Sequence, residues 1–202
     1  YGYPFCRGRI FDVVEKDCGQ YDTVTEVMWV TGAALFIRLA DYREVGGLDG
    51  HFFAHMEEID LCWRLRSRGK KLVCIPQSVV YHVGGATLKK ENPRKTFLNF
   101  RNNLLMLYKN LPDKELEHVL FIRGILDRVA ALVFYLKKDR ANARAVMQAR
   151  REFEDIRYSF AASRIENMMK STDEIIPERT HFSIVMKYYL LGKKHFSQLK
   201  LF

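Results

Sequence analysis

The sequence is short of cross-links. Its four cysteines, Cys6, Cys18, Cys62 and Cys74, are scattered through 202 residues without a CxxC pair. Nothing in that pattern suggests a zinc site or a disulfide ladder, and a reducing cytoplasm fits it best. A long charge-free apolar run is also missing. The most apolar stretch, HVLFIRGILDRVAALVFYLKK, contains Arg123, Asp127 and Arg128. Each such charge costs about 2.5–3.5 kcal/mol at a bilayer centre, so no transmembrane span is expected. Arg123 and Asp127 are expected to pair at i,i+4 instead. No internal repeat is present. The opening residues, YGYPFCRGRIF, have neither an initiator Met nor a signal-peptide pattern, and the expectation is a piece of a longer protein.

What is present is an ordinary globular composition with a basic excess. Hydrophobic residues make up 48% and charged residues 28%, which excludes a disordered chain. The length suits one domain with a substantial core, or one domain plus a tail. The net charge of +9 is uneven: residues 1–100 carry 14 Lys/Arg against 12 Asp/Glu, and residues 101–202 carry 19 against 12. A basic second half suits a polyanionic neighbour, or is simply a solvated basic face.

Along the chain, EVMWVTGAALFIRL (Glu26 to Leu39) reads as a buried strand with a close backbone approach at Gly32. Turn signals follow at Gly46-Gly47 and Asp49-Gly50. From Met56 to Arg68 the spacing of Ile59, Cys62, Trp63 and Leu65 predicts a helix, stopped by Gly69. KLVCIP is a short strand, SVVYH continues extended to His82, and Gly84-Gly85 opens a loop with Lys89, Lys90, Arg94 and Lys95. A helix is predicted from Pro93 to Leu111, and another from about Asp139 to Lys170. The last segment, HFSIVMKYYLLGKKHFSQLKLF, has aromatics, leucines and four lysines but no acid. It reads either as a helix lying on an anionic membrane surface or as a terminal helix docked on the domain.

The densest chemistry lies in MEEID. Glu57, Glu58 and Asp60 fall within four residues at a predicted helix start. Acids there interact with the helix dipole for about 0.3–1 kcal/mol each, and Asp60 pairs naturally with Arg64. Capping alone accounts for such a cluster, so a stronger reading needs the surrounding sequence.

That context is Gly46-Gly47-Leu48-Asp49, Phe52-Phe53, Glu57-Glu58-Ile59-Asp60-Leu61-Cys62-Trp63-Arg64, Pro76 and His82-Val83-Gly84-Gly85, with WVTGAALFIR upstream. In order and spacing it resembles the acceptor-side segment of inverting family 2 glycosyltransferases of GT-A fold, the bacterial rhamnosyltransferase-like group. The resemblance runs from about Glu26 to Leu111. It implies an α/β fold: the C-terminal part of a GT-A mixed sheet over residues 1–111, then a mainly helical, basic region over 112–202. It assigns Glu58 as the base that takes the acceptor hydroxyl proton. Glu57 would be its partner, raising the pKa of Glu58 by like-charge proximity. Asp60 is the third catalytic candidate of the cluster, and with Arg64 it reads alternatively as holding the helix start. Many relatives have Asp where this chain has Glu58. His82 matches a metal-binding histidine that would share Mg²⁺ or Mn²⁺ with an Asp-x-Asp motif; no Asp-x-Asp occurs in this sequence. Trp29 and Gly32 would line the sugar or acceptor pocket, or else pack the core. Arg94, with Lys95, would approach a pyrophosphate. Arg101 is a further substrate-binding candidate, and with Asn102 reads alternatively as helix surface.

The expected activity is therefore transfer of a sugar, with inversion, from a nucleoside diphosphate sugar to a saccharide or lipid-linked acceptor in cell-surface polysaccharide synthesis. The expected location is peripheral, on the inner face of the bacterial plasma membrane. The nucleotide-binding half is not found in this sequence, so the chain alone is expected to be inactive, and an uncovered sheet edge invites self-association. The competing class is a noncatalytic membrane- or polyanion-binding module. Arg144, Arg150, Arg151 and Arg157 make a basic helix, but no nucleic-acid motif accompanies them, so no nucleic-acid partner is expected.

Overall fold

The computed structural model describes residues 1–82, 92–172 and 175–201. The elements in order are β1 (Arg9–Ile10), β2 (Val13–Val14), β3 (Thr25–Glu26), α1 (Leu39–Glu44), α2 (Glu57–Ser67), β4 (Val73–Cys74), α3 (Pro93–Asn110), α4 (Asp113–Leu136), α5 (Arg140–Ile156), α6 (Ala161–Lys170) and α7 (Ile184–Tyr189). The class is mixed α/β, but helix dominates. Among the described residues the strands form only two antiparallel pairs, β1 with β2 and β3 with β4.

The long strand expected over Glu26–Leu39 is not there. After Thr25–Glu26, one further bond runs from the Val27 amide to the Leu72 carbonyl. The chain then turns through a 3-10 helix at Gly32–Ala34, capped by the Thr31 side chain, and enters α1. β-branched and aromatic residues favour a pleated surface only where a neighbouring strand supplies the ladder. Residues 28–31 have no such neighbour among the described residues. Phe36 and Tyr81 are correspondingly 96% and 97% exposed.

The α2 helix lies where expected and is buried on nearly every side from Ile59 to Ser67. The apolar residues read as one face serve two cores. Ile59 and Trp63 join Phe52, Leu104–Leu107, Phe153 and Phe160, while Leu61, Cys62 and Leu65 pack with Val45 and Leu72. The first core crosses Pro112, so the later helices pack directly on α2 and α3. The single helix expected over Asp139–Lys170 is two helices, α5 and α6, joined by a 3-10 turn at Arg157–Phe160.

The C-terminal segment is not one amphipathic helix. It is the short α7 and a 3-10 turn at Phe196–Leu199, and Gly192 between them sits at φ 65°, outside the helical region. Ile184, Phe196 and Leu199 are buried with Ile10 in a third core. Docking on the β1–β2 hairpin is the arrangement found, as the second of the two sequence readings expects.

Buried charge also ties the middle of α4 to its neighbours. Arg123 and Asp127 do pair, at 3.0 Å and fully buried. Asp127 also accepts from Arg150 at 2.9 Å, and Arg123 donates to Asn103 and lies over the Tyr3 ring at 4.3 Å. This ties the N-terminal residues to α4.

The Gly46-Gly47 turn has positive φ at both glycines, 81° and 67°. A Cβ at Gly47 would come within 2.9 Å of the Tyr42 ring, whereas one at Gly46 would meet nothing within 4 Å. Alanine in the left-handed region costs about 1–2 kcal/mol. Gly46→Ala is expected to cost about that, and Gly47→Ala clearly more, because Tyr42 must also move. Urea midpoints of the two variants check the ranking.

Candidate active site

Two networks place the first turn of α2. The first is structural. Asp60 is fully buried and accepts from Arg64 at 2.8 Å, Lys109 at 2.9 Å and Asn110 at 2.7 Å. Arg64 continues to the Val45 and Gly47 carbonyls, and Lys109 continues to Asp49 at 2.7 Å. The Gly-Gly-x-Asp turn, α2 and α3 are thus one hydrogen-bonded unit. Asp60 faces into this unit, away from its sequence neighbours Glu57 and Glu58.

The Lys109 contact also sets the acidity of Asp49. Burial acts to raise its pKa, but the hydrogen bond and charge of Lys109, with donation from His51, outweigh it and hold Asp49 at about 2. A depressed carboxylate contributes stability above its unfolded value, near 3.8, and loses it as pH falls toward 2. Acid unfolding is therefore expected to show wild type more stable than Asp49→Asn above about pH 4. The difference should disappear near pH 2.

The second network shapes the loop before α2. Asn102, fully buried, directs its Nδ2 to the carbonyls of Phe52, Ala54 and His55, each at 2.8 Å. The chain there runs through three positive φ angles, Phe53 at 63°, His55 at 70° and Met56 at 74°. Non-glycine residues in that region carry strain of order 1–3 kcal/mol each, and such strain concentrates at functional sites. Arg101 reinforces the loop from its other side. It donates to Asn102 at 3.0 Å, to Glu152 at 2.7 Å and to the His51 carbonyl at 3.0 Å. Neither Arg101 nor Asn102 is a free helix-surface residue.

The loop and the helix start bound a cavity of about 200 Å³. Glu58, His55, Trp29, Asn99, Arg9 and Cys6 are among its lining residues. Gly32 closes up to Glu58: a Cβ there would be 3.6 Å from the Glu58 Cβ. Three buried polar atoms at this place have no hydrogen-bond partner, Oε2 of Glu57, Oε2 of Glu58 and Nε2 of His55. Met56, at the N-cap position, supplies no side-chain cap. Simple capping therefore leaves one oxygen of each glutamate unaccounted for. A buried polar atom without a partner costs about 1–3 kcal/mol, which a folded chain carries where something else binds.

Electrostatics at the site follow from its burial. The Glu58 pKa is raised, first by burial and then by the Glu57 charge, against hydrogen bonds from its own amide and that of Ile59. The His55 pKa is lowered, first by burial and then by Lys95, against Glu57. A carboxylate whose pKa is raised is a better proton acceptor than a free one, as a general base requires.

The structure thus brings together Glu58, Glu57, Trp29 and Gly32. Arg94 lies apart and exposed, its guanidinium 5.2 Å over the Phe53 ring. His82 is exposed, and the loop of Gly84, Gly85, Lys89 and Lys90 lies outside the described residues. Among the described residues no three His, Cys, Asp or Glu side chains form a metal-binding group. These residues alone do not fit a divalent cation site. Sequence reasoning missed His55, Asn99 and the hairpin residues Cys6 and Arg9. His55 lies two residues before Glu57, but nothing in its spacing announces a left-handed backbone.

No family model matches the chain, and no solved structure matches it. Several curated proteins do. The chain is 31% identical over 141 residues to a pre-mycofactocin glycosyltransferase of Mycobacterium tuberculosis, covering 64% of this chain and 29% of that protein. It is 33% identical over 69 residues to the rhamnosyltransferase WbbL of Escherichia coli K12, covering 34% of this chain and 25% of that one. It is 38% identical over 56 residues to an N-acetylglucosaminyl-diphospho-decaprenol L-rhamnosyltransferase of M. tuberculosis, covering 28% and 18%. The relatives it matches are glycosyltransferases, rhamnosyltransferases among them, and the match spans less than a third of each.

Among the described residues no helix is long and apolar enough to cross a membrane.

Proposed function

We propose that this chain is the acceptor-side portion of an inverting, family 2-type glycosyltransferase of GT-A fold, acting in cell-surface polysaccharide synthesis. The carrying observation is the unpartnered carboxylate oxygen of Glu58 on the wall of a small cavity that Trp29 and His55 also line, with the buried, unpartnered oxygen of Glu57 next to it in the chain. The donor is a nucleoside diphosphate sugar, and the acceptor is a saccharide or lipid-linked saccharide. Glu58 accepts the proton of the acceptor hydroxyl as its oxygen attacks the anomeric carbon. The bond from that carbon to the diphosphate oxygen breaks on the opposite face, and the nucleoside diphosphate leaves with the bonding electrons. Attack opposite the leaving group inverts the anomeric centre. Trp29 offers a ring platform for the sugar, and Gly32 leaves the approach to Glu58 open. Arg94 is placed to meet diphosphate only if it leaves Phe53. Mg²⁺ or Mn²⁺ would find one donor in His82 and need its other ligands from outside these residues.

The exposed Phe36, Val79 and Tyr81 support a reading in which a nucleotide-binding half packs against this edge. A noncatalytic binding module would have no use for the orphaned carboxylates. The test is transfer by the full-length protein, given radiolabelled UDP-, GDP- and dTDP-sugars and a lipid-linked saccharide extract with Mn²⁺. Label entering the saccharide with an inverted anomeric configuration is the expected result. Retained configuration, or no transfer from any donor by folded protein, contradicts the reading.

A further inference from the structure

The outer surface of the α4–α5 hairpin has a composition that the rest of the protein does not explain. On α4, Phe121, Ile125, Val129, Leu132 and Leu136 are all exposed, Phe121 and Leu136 by about 70%. Their spacing of three and four residues puts them on one face. At 1.5 Å per residue the stripe is about 22 Å long. It is not covered by α5, which packs on the opposite side, where Arg123, Asp127 and Ala131 are buried.

Charge separates in the same way. Arginines directed inward are neutralised: Arg123 and Arg150 by Asp127, and Arg101 by Glu152. The exposed charged residues from 118 to 151 are Arg128, Lys137, Lys138, Arg140, Arg144 and Arg151, all basic. Arg140, Arg144 and Arg151 line an open groove of about 920 Å³ between the two helices, beside Leu132, Tyr135 and Met147; Glu152, paired with Arg101, and the exposed Asp155 also line it, leaving the wall net basic. None of these three arginines forms an ion pair among the described residues.

We infer that this face docks the protein on an anionic lipid bilayer, with the α4 stripe in the headgroup–acyl boundary and the groove arginines on lipid phosphates. An apolar stripe bordered by a net excess of cations is the pattern that binds such a surface. A second protein copy would place these cations against one another, and a nucleic acid would have no use for the stripe. The surface expected for this role from sequence, the C-terminal segment, buries Ile184, Phe196 and Leu199 in the third core and leaves Met186, Tyr189, Leu190 and Leu191 exposed, so a control variant there separates the two surfaces. The inference is independent of the glycosyl-transfer reading: it uses none of the cavity residues, and binding is measured without donor or acceptor.

Co-sedimentation with phosphatidylcholine vesicles, with and without roughly a third of phosphatidylglycerol, tests it. Wild type is expected to bind the anionic vesicles and to be released by high salt. Ile125→Glu/Leu132→Glu and Arg144→Glu/Arg151→Glu are each expected to weaken binding at least about tenfold. Leu190→Glu/Leu191→Glu, on the exposed part of the C-terminal segment, is expected to leave it unchanged. All six positions are exposed, and circular dichroism confirms that each variant is folded. Wild-type binding by both hairpin variants overturns the proposal, as does loss confined to the C-terminal variant. A dimer dissolved by Ile125→Glu/Leu132→Glu, without vesicle binding, overturns it in favour of self-association. Loss only in the arginine variant, with nucleic acid competing, overturns it in favour of a polyanion partner.

Discussion

Glu58→Gln in the full-length protein is expected to reduce sugar transfer by about 10²–10⁴-fold, the usual contribution of a positioned general base. The loss should fall on kcat, because the amide keeps the size of the carboxylate and loses only its ability to take the proton. Stability should hold or rise slightly. The variant removes a buried charge whose Oε2 has no partner and which sits beside Glu57. Few substitutions separate function from structure so cleanly. A Glu58 that served only to cap α2 would give the opposite result: activity nearly intact and stability lowered by about 0.3–1 kcal/mol. Transfer rates with saturating donor, together with urea midpoints, distinguish the two.

Asp60→Ala is expected to act in the other way. Its carboxylate is the shared partner of Arg64, Lys109 and Asn110, all buried. Removing it leaves two cations in the interior with carbonyls and Asp49 as their remaining partners. Breaking a buried ionic network from one side costs about 3–5 kcal/mol. For a domain of marginal stability that is a large fraction of the total. Activity should fall only in proportion to unfolded protein, and kcat per folded molecule should stay near wild type. A cost below about 1 kcal/mol, the level of an exposed pair, would contradict the structural role.

The contrast between Glu58 and Asp60 shows what the sequence makes legible. The acids read as one cluster because they are neighbours in the chain. On a helix, two residues at about 100° each put Glu58 and Asp60 on opposing sides, and Asp60 belongs with Arg64 on the inward side. Their i,i+4 spacing already implies that pairing, and the same rule correctly pairs Arg123 with Asp127. The start and stop of α2 are equally plain from its apolar spacing and Gly69. The strand expected over Glu26–Leu39 fails because strand character is granted by a neighbour, and local composition does not supply one. The C-terminal segment fails as a single helix because Gly192 interrupts it and the β1–β2 hairpin buries its apolar residues. The site is legible at Glu58, Glu57, Trp29 and Gly32 only through the resemblance to a glycosyltransferase family. Its remaining parts are not. His55 reaches the cavity through a left-handed backbone that Asn102 holds from 47 residues away, and Arg9 arrives on a hairpin outside the resembling stretch.

In the proposed mechanism Glu58, lifted by burial and by Glu57, takes the acceptor proton. The pH dependence of kcat/KM in wild type, Glu57→Gln and Glu58→Gln tests it most directly. A base must be ionised, so activity should rise with pH through the Glu58 pKa, above the ordinary glutamate value of 4.5. Loss of the Glu57 charge should move that ascending limb to lower pH, and Glu58→Gln should abolish it along with most of the rate. An ascending limb that stays in place in both variants would assign the proton to another group and contradict the account.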